Sequence, residues 1–171
     1  MKRLAPALQS DIRYQWRYGF YLIYAFMVAI FIAIIRLLPE GWRPTALVVM
    51  LLSDPVFLGF FFIGGILQLE RGEGLLDALF ITPLRPAEYL VSKAVSLGLI
   101  ATTAGTLVAF GSGVEGVQYA LLIPVLLSGS ICFTLVGIAI SVNLRSMNAF
   151  LSINGAWEAV LLLPPLLLMF G

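Results

Sequence analysis

Residues Glu70–Lys93 read ERGEGLLDALFITPLRPAEYLVSK, and they form the only sizeable charged island between long apolar runs. The chain around them is 61% hydrophobic and 11% charged over 171 residues. A soluble domain carries about 25% charge. The apolar runs are unbroken and long enough to cross a hydrocarbon core of about 30 Å as helices. A membrane β-barrel would instead show alternating segments of about 10 residues. Lipid offers no partners to backbone polar groups, so each span must satisfy its own. The sequence is therefore that of an all-α, polytopic helical membrane protein.

Working outward from the island, the apolar runs divide into five spans, expected over 20–38, 54–71, 89–110, 119–142 and 149–170. Pro39-Glu40-Gly41 closes the first, and Trp42 and Arg43 mark an interface after it. Ser53-Asp54-Pro55 interrupts the second run. Ser53 is a good N-cap and proline is tolerated in a first helical turn, which favours a helix beginning near Asp54; a single kinked helix is equally compatible. Before the first span, Leu4, Leu8, Ile12 and Trp16 recur every four residues, while Asp11, Arg13 and Arg17 lie off that face. Residues 1–18 thus read as an amphipathic helix in the membrane interface, with a loose basic tail as the alternative. The segment lacks the short apolar core and small-residue site of a cleaved signal, and is expected to be retained.

Small residues recur four apart within the spans, at Ala94 and Gly98, Ala101 and Gly105, and Gly137 and Ser141. Such spacing lets helices approach closely in lipid. The Lys/Arg distribution sets the expected orientation. Five spans put Lys2, Arg3, Arg13, Arg17, Arg71, Arg85, Lys93 and Arg145 on one side, and Arg36 and Arg43 on the other. The first side, with the N-terminus and the charged island, is expected to be cytoplasmic, and residue 171 external.

Several function classes are excluded or disfavoured. The chain has no histidine, which removes HExxH metalloproteases and Ser-His-Asp hydrolases. Cys132, the single cysteine, lies in an apolar run and is expected to be a buried packing residue. A net charge of +1 gives no field for nucleic acid. No GxxxxGK[ST] phosphate loop occurs, so the chain does not hydrolyse ATP by that route. No metal or cofactor is expected on it.

Within the island, helical projection gathers Glu70, Glu73 and Asp77 in one sector and Leu75, Leu76 and Leu79 opposite. Pro83 stops the helix and Pro86 prevents an immediate restart; Tyr89 and Lys93 then anchor the edge of the next span. The expected device is a short amphipathic helix over 72–84, parallel to the membrane. Its leucines either sit among headgroups or, with Phe80, enter a groove on a soluble partner. A helix for anionic lipid would be rich in Lys/Arg, whereas this sector is acidic, which favours a protein.

The same residues carry a family resemblance. Glu70, Gly74, Leu76, Asp77, Leu79, Thr82, Pro83, Leu84, Tyr89 and Lys93 match the loop of ABC-2-type transporter permeases, in which Glu-x-x-x-Gly-x-Leu-(Glu/Asp)-x-Leu precedes Thr-Pro-Leu and a later Tyr and Lys. The preceding SDPVFLGFFFIGGILQLE resembles the fluoroquinolone-export permeases within that group. The resemblance implies a permease subunit of an ABC exporter with an amphipathic or drug-like substrate. The loop would be a coupling helix, with Glu70, Glu73, Leu75, Leu76, Asp77, Leu79, Phe80 and Pro83 docking on a separate ABC ATPase subunit that binds ATP and Mg. It also implies a second permease subunit, identical or not. Such permeases usually have six spans, and five are expected here. The alternative from another class is a non-transporting scaffold or immunity-type membrane protein that holds a soluble partner through the same loop helix.

Glu158 lies thirteen positions past Arg145, on the order of 20 Å along a helix. It is expected within the hydrocarbon, with Asn154 one turn earlier on the same face. An intramembrane carboxylate is a functional candidate, here for a cationic substrate, a proton or a subunit contact; a protonated carboxyl bonded to Asn154 or Ser152 is the structural alternative. Asp54 is read as a cap at the outer boundary rather than as a substrate ligand.

Overall fold

A computed structural model describes residues 4–53, 55–72, 74 and 86–142, and beyond them Ser152, Ile153, Val160, Leu163 and Leu167. The described residues are helical throughout apart from turns, with no strand among them. Among the described residues up to 142, six α-helices follow in order: α1 (Leu4–Arg17), α2 (Phe20–Leu37), α3 (Arg43–Ser53), α4 (Pro55–Gly72), α5 (Pro86–Ser112) and α6 (Tyr119–Val142), with a 3₁₀ turn over Glu40–Trp42. Among the described residues, three segments are long and apolar enough to cross a membrane: Phe20–Leu37, Ala87–Ser112 and Tyr119–Ser141. Apart from scattered positions, the span expected over 149–170 and the loop helix expected over 72–84 lie outside the described residues, as does Asp54.

The turn from α1 to α2 depends on Gly19, which sits at φ 74 in the left-handed region that only glycine enters freely. It turns the chain within two residues and brings the end of α1 to the start of α2, where Trp16 lies 5.3 Å from the Tyr21 ring. At its other end α2 is closed by basic side chains. Arg43 donates from Nε to the Leu38 carbonyl at 3.0 Å and from a terminal nitrogen to the Arg36 carbonyl at 3.2 Å. Cations at a helix C-terminus complement its dipole and its unpaired carbonyls. Arg36 donates to the Gly111 carbonyl at 2.8 Å and so ties the ends of α2 and α5.

The interruption at 53–55 separates two helices. Ser53 ends α3, and its hydroxyl donates back to the Val49 carbonyl at 2.6 Å, the carbonyl four residues back that a serine inside a helical turn readily reaches.

α5 is the centre of the fold. Over an 18-residue apolar stretch of Ala87–Ser112, 61% is buried, against 17% for Phe20–Leu37 and 28% for the corresponding stretch of Tyr119–Ser141. One apolar cluster joins Ile35, Leu47, Leu51, Val108 and Leu126 from α2, α3, α5 and α6. A second joins Phe20, Ile63, Ile66, Leu97 and Ile138 from α2, α4, α5 and α6. The small-residue spacing falls on these seams. Ala94 and Ala101 are buried, and a Cβ on Gly98 would meet Ile131 of α6 at 3.1 Å. Gly137 of α6 lies against α4, where a Cβ would stand 2.9 Å from the Phe60 carbonyl oxygen and 2.8 Å from Ile63. Gly59 of α4 meets Thr134 in the reciprocal position. Helices in lipid gain from such close contact, since lipid chains compete for any looser apolar surface. Cys132 departs from expectation: it lies on the exposed face of α6, because the buried side of that helix is taken by Ser130, Thr134 and Ile138.

Gly137→Val therefore forces two branched methyls into the α4 backbone. The expected loss is about 1–3 kcal/mol, read as a lowered thermal midpoint in detergent. Gly41→Ala, with nothing within 4 Å of the added atom, is expected to leave the midpoint unchanged.

Candidate functional site: a buried charge cluster at three helix ends

The last turn of α4 and the first turns of α5 stand together at the two ends of the 73–85 segment, and α1 lies against α5 beside them. At their meeting point the fold buries charge. Lys93 of α5 is 3% exposed, and its ammonium lies 2.6 Å from Glu70 Oε1 and 3.0 Å from Asp11 Oδ1. Each carboxylate uses its second oxygen as well. Tyr89 donates its phenol hydrogen to Glu70 Oε2, and Ser92 donates to Asp11 Oδ2 at 2.5 Å. The Tyr89 ring also faces the ammonium, 4.9 Å from its centroid, a favourable cation–π distance. Gln15 of α1 donates to Ser96 Oγ at 2.9 Å, and Ser96 donates to the Lys93 carbonyl at 3.0 Å.

Local sequence explains how each group arrives. Glu70 is in α4, two residues before its end, on the side that packs on α5. Tyr89, Ser92, Lys93 and Ser96 are spaced three and four apart, which places them on one face of α5. Asp11 and Gln15 are four apart on α1, on the polar side that the apolar periodicity left over. The apolar side of α1 points away from the protein: Ile12 is 39% exposed and Trp16 73%.

An isolated ammonium in this position would be very costly to desolvate. Two carboxylates and two hydroxyls compensate it, so breaking the set by removing one partner is far more damaging than its net stabilisation suggests. The cluster's chemistry is electrostatic positioning. It fixes the ends of α4 and α5 at one spacing and docks α1 against α5.

Of the residues expected to dock on a partner, Glu70 lies within the described residues, and it is turned inward on Lys93 and Tyr89. α4 continues as a helix through Gly72, and Glu70 on it faces α5. Glu73, Leu75, Leu76, Asp77, Leu79, Phe80 and Pro83 lie outside the described residues, as do Asp54, Asn154 and Glu158. Sequence reasoning placed Lys93 and Tyr89 as membrane-edge anchors and missed their partners. The available signal was that Asp11, Glu70 and Lys93 carry opposite charges and were all assigned to one side of the membrane.

The fold is thus an all-helical membrane protein with a buried charge cluster where two apolar helices meet their connecting segment. The model of the fluoroquinolones export permease protein family matches residues 2–171, and the chain belongs to that family. It is 32% identical over 167 residues to a fluoroquinolones export permease protein of Mycobacterium tuberculosis strain CDC 1551 / Oshkosh, covering 96% of this chain and 70% of the relative. The same figures hold for the corresponding protein of strain ATCC 25618 / H37Rv. No solved structure gives a significant match.

Lys93→Met leaves Asp11 and Glu70 buried without their cation. The expected cost is about 3–5 kcal/mol, seen as a large fall in the thermal midpoint. Glu40→Ala, which removes an exposed pair with Arg43 at 4.0 Å, should cost under about 1 kcal/mol. The triple variant Asp11→Asn, Glu70→Gln, Lys93→Met should recover much of the single variant's loss, because no uncompensated charge remains.

Proposed function

We propose that this chain is the membrane permease of an ABC-type exporter that moves amphipathic, fluoroquinolone-like compounds using ATP hydrolysed by a separate subunit. The observation that carries this reading is family membership across residues 2–171, joined to a charge cluster that fixes both helix ends flanking the 73–85 segment. The relatives are named as fluoroquinolone export permeases. Without a phosphate loop, the energy source is a partner ATPase carrying ATP and Mg.

Docking falls to the loop residues Glu73, Leu75, Leu76, Asp77, Leu79, Phe80 and Pro83. Apolar positions at helical spacing suit a groove on the ATPase. Glu70 acts one step back, by holding α4 to α5 through Lys93. A push on the loop then reaches α4, α5 and α1 together, and through the Gly19 turn it reaches α2. A second permease subunit completes the pathway, and the N-terminus faces the cytoplasm.

The test is norfloxacin accumulation in cells expressing the permease with its ATPase. Accumulation should fall when both are present and return to the control level with Leu79→Asp, with the ATPase no longer copurifying. Unchanged accumulation with both subunits present would refute the exporter reading, and the scaffold reading would replace it if the ATPase still binds.

A further inference from the structure

The inward placement of Asp11 has a consequence for the other side of α1. Asp11 is the one acidic residue of that helix, and its carboxylate is turned inward, where it accepts from Lys93 and Ser92. The outward surface of α1 therefore carries positive charge alone, from Arg13 and Arg17, both exposed.

The helix divides by angle into three sides. Asp11 and Gln15 face the protein. Leu8, Ile12 and Trp16 form the adjoining apolar side, of which Ile12 and Trp16 are exposed. Arg13 and Arg17 lie on the flank opposite the protein contact, one helical turn apart. α1 also lies at the foot of α2, since the Gly19 turn leads directly into the apolar run that begins at Phe20. Trp16 beside Tyr21 puts the apolar side of α1 level with the first turn of that membrane-length helix. An apolar side at the membrane boundary with an arginine flank at headgroup height is complementary to an anionic lipid surface.

We propose that α1 is a lipid-recognition element that selects net-anionic phospholipid, with Ile12 and Trp16 entering the interface and Arg13 and Arg17 pairing with headgroup phosphates. The partner is the lipid surface rather than a protein groove, because the arginines flank the apolar side on an element already fixed at the membrane boundary. Burying Asp11 removes the one charge on α1 that would repel such headgroups. The inference rests on the membrane reading, and it is independent of transport and of any ATPase.

The test places the full chain in bilayers containing either brominated phosphatidylglycerol or brominated phosphatidylcholine, at equal total bromine and equal lipid composition otherwise. The Trp16 contribution to fluorescence is the difference between the protein and its Trp16→Phe variant. Quenching of that contribution should be stronger with brominated phosphatidylglycerol. The excess should disappear in Arg13→Gln/Arg17→Gln, and high salt should weaken it in the unmodified protein. Equal quenching by the two lipids would overturn the proposal, as would no quenching at all, or an excess that survives the double arginine substitution. All substituted positions are exposed, so the variants are expected to fold, and an unchanged thermal midpoint verifies this.

Discussion

One buried ammonium organises the membrane-boundary end of this protein. Lys93 sits between Asp11 and Glu70 at hydrogen-bonding distance from both. Those three residues come from the first, fourth and fifth helices. Apolar packing alone does not fix how helices meet at that boundary, because lipid chains cover apolar surface nearly as well as a neighbouring helix does. A desolvated charge set is different. It has one low-energy arrangement, and separating its members exposes an uncompensated charge. The register of α4 on α5, and the docking of α1 on α5, follow from that requirement.

Deeper in the fold the constraint changes from charge to shape. Gly59 and Gly137 let α4 and α6 touch backbone to side chain, and Gly98 lets α5 take Ile131 of α6. α5 lies between these contacts as the most buried of the membrane-length helices. The structure thus has a polar lock at one end of α5 and close apolar packing along its length. At the other end of α5, the Arg36 bond to Gly111 holds α2 in place. In the exporter reading, this arrangement suits a permease in which a loop at one end must move several helices as one body.

Much of the fold was legible in the sequence. The apolar run from Phe20 gives the helix Phe20–Leu37, and the run from Tyr119 gives Tyr119–Val142, because uninterrupted apolar sequence leaves lipid-exposed backbone no alternative to helix. The polar and apolar sides of α1 were visible in its four-residue periodicity. The partnership of Asp11 and Glu70 with Lys93 was not, since their sequence separations of 82 and 23 carry no local periodicity. Glu70 was grouped with Glu73 and Asp77 by projecting one helix through all three; the burial of Glu70 is a tertiary fact that such a projection omits. Cys132 was misplaced for a related reason: an apolar run marks a span but does not say which side of it faces lipid.

The central claim is that α1 and the start of α5 move as one body. A reducible crosslink between Gln15→Cys and Ser96→Cys, closed by a short bis-methanethiosulfonate in a Cys132→Ser background, tests it directly: Gln15 reaches Ser96 with its terminal nitrogen, and the shorter cysteine side chains leave room for the linker. Norfloxacin efflux with the ATPase present is measured before crosslinking, after it, and after reduction. The account predicts the same efflux in all three states. Efflux that stops on crosslinking and returns on reduction would show that α1 must leave α5 during the cycle, and would contradict it.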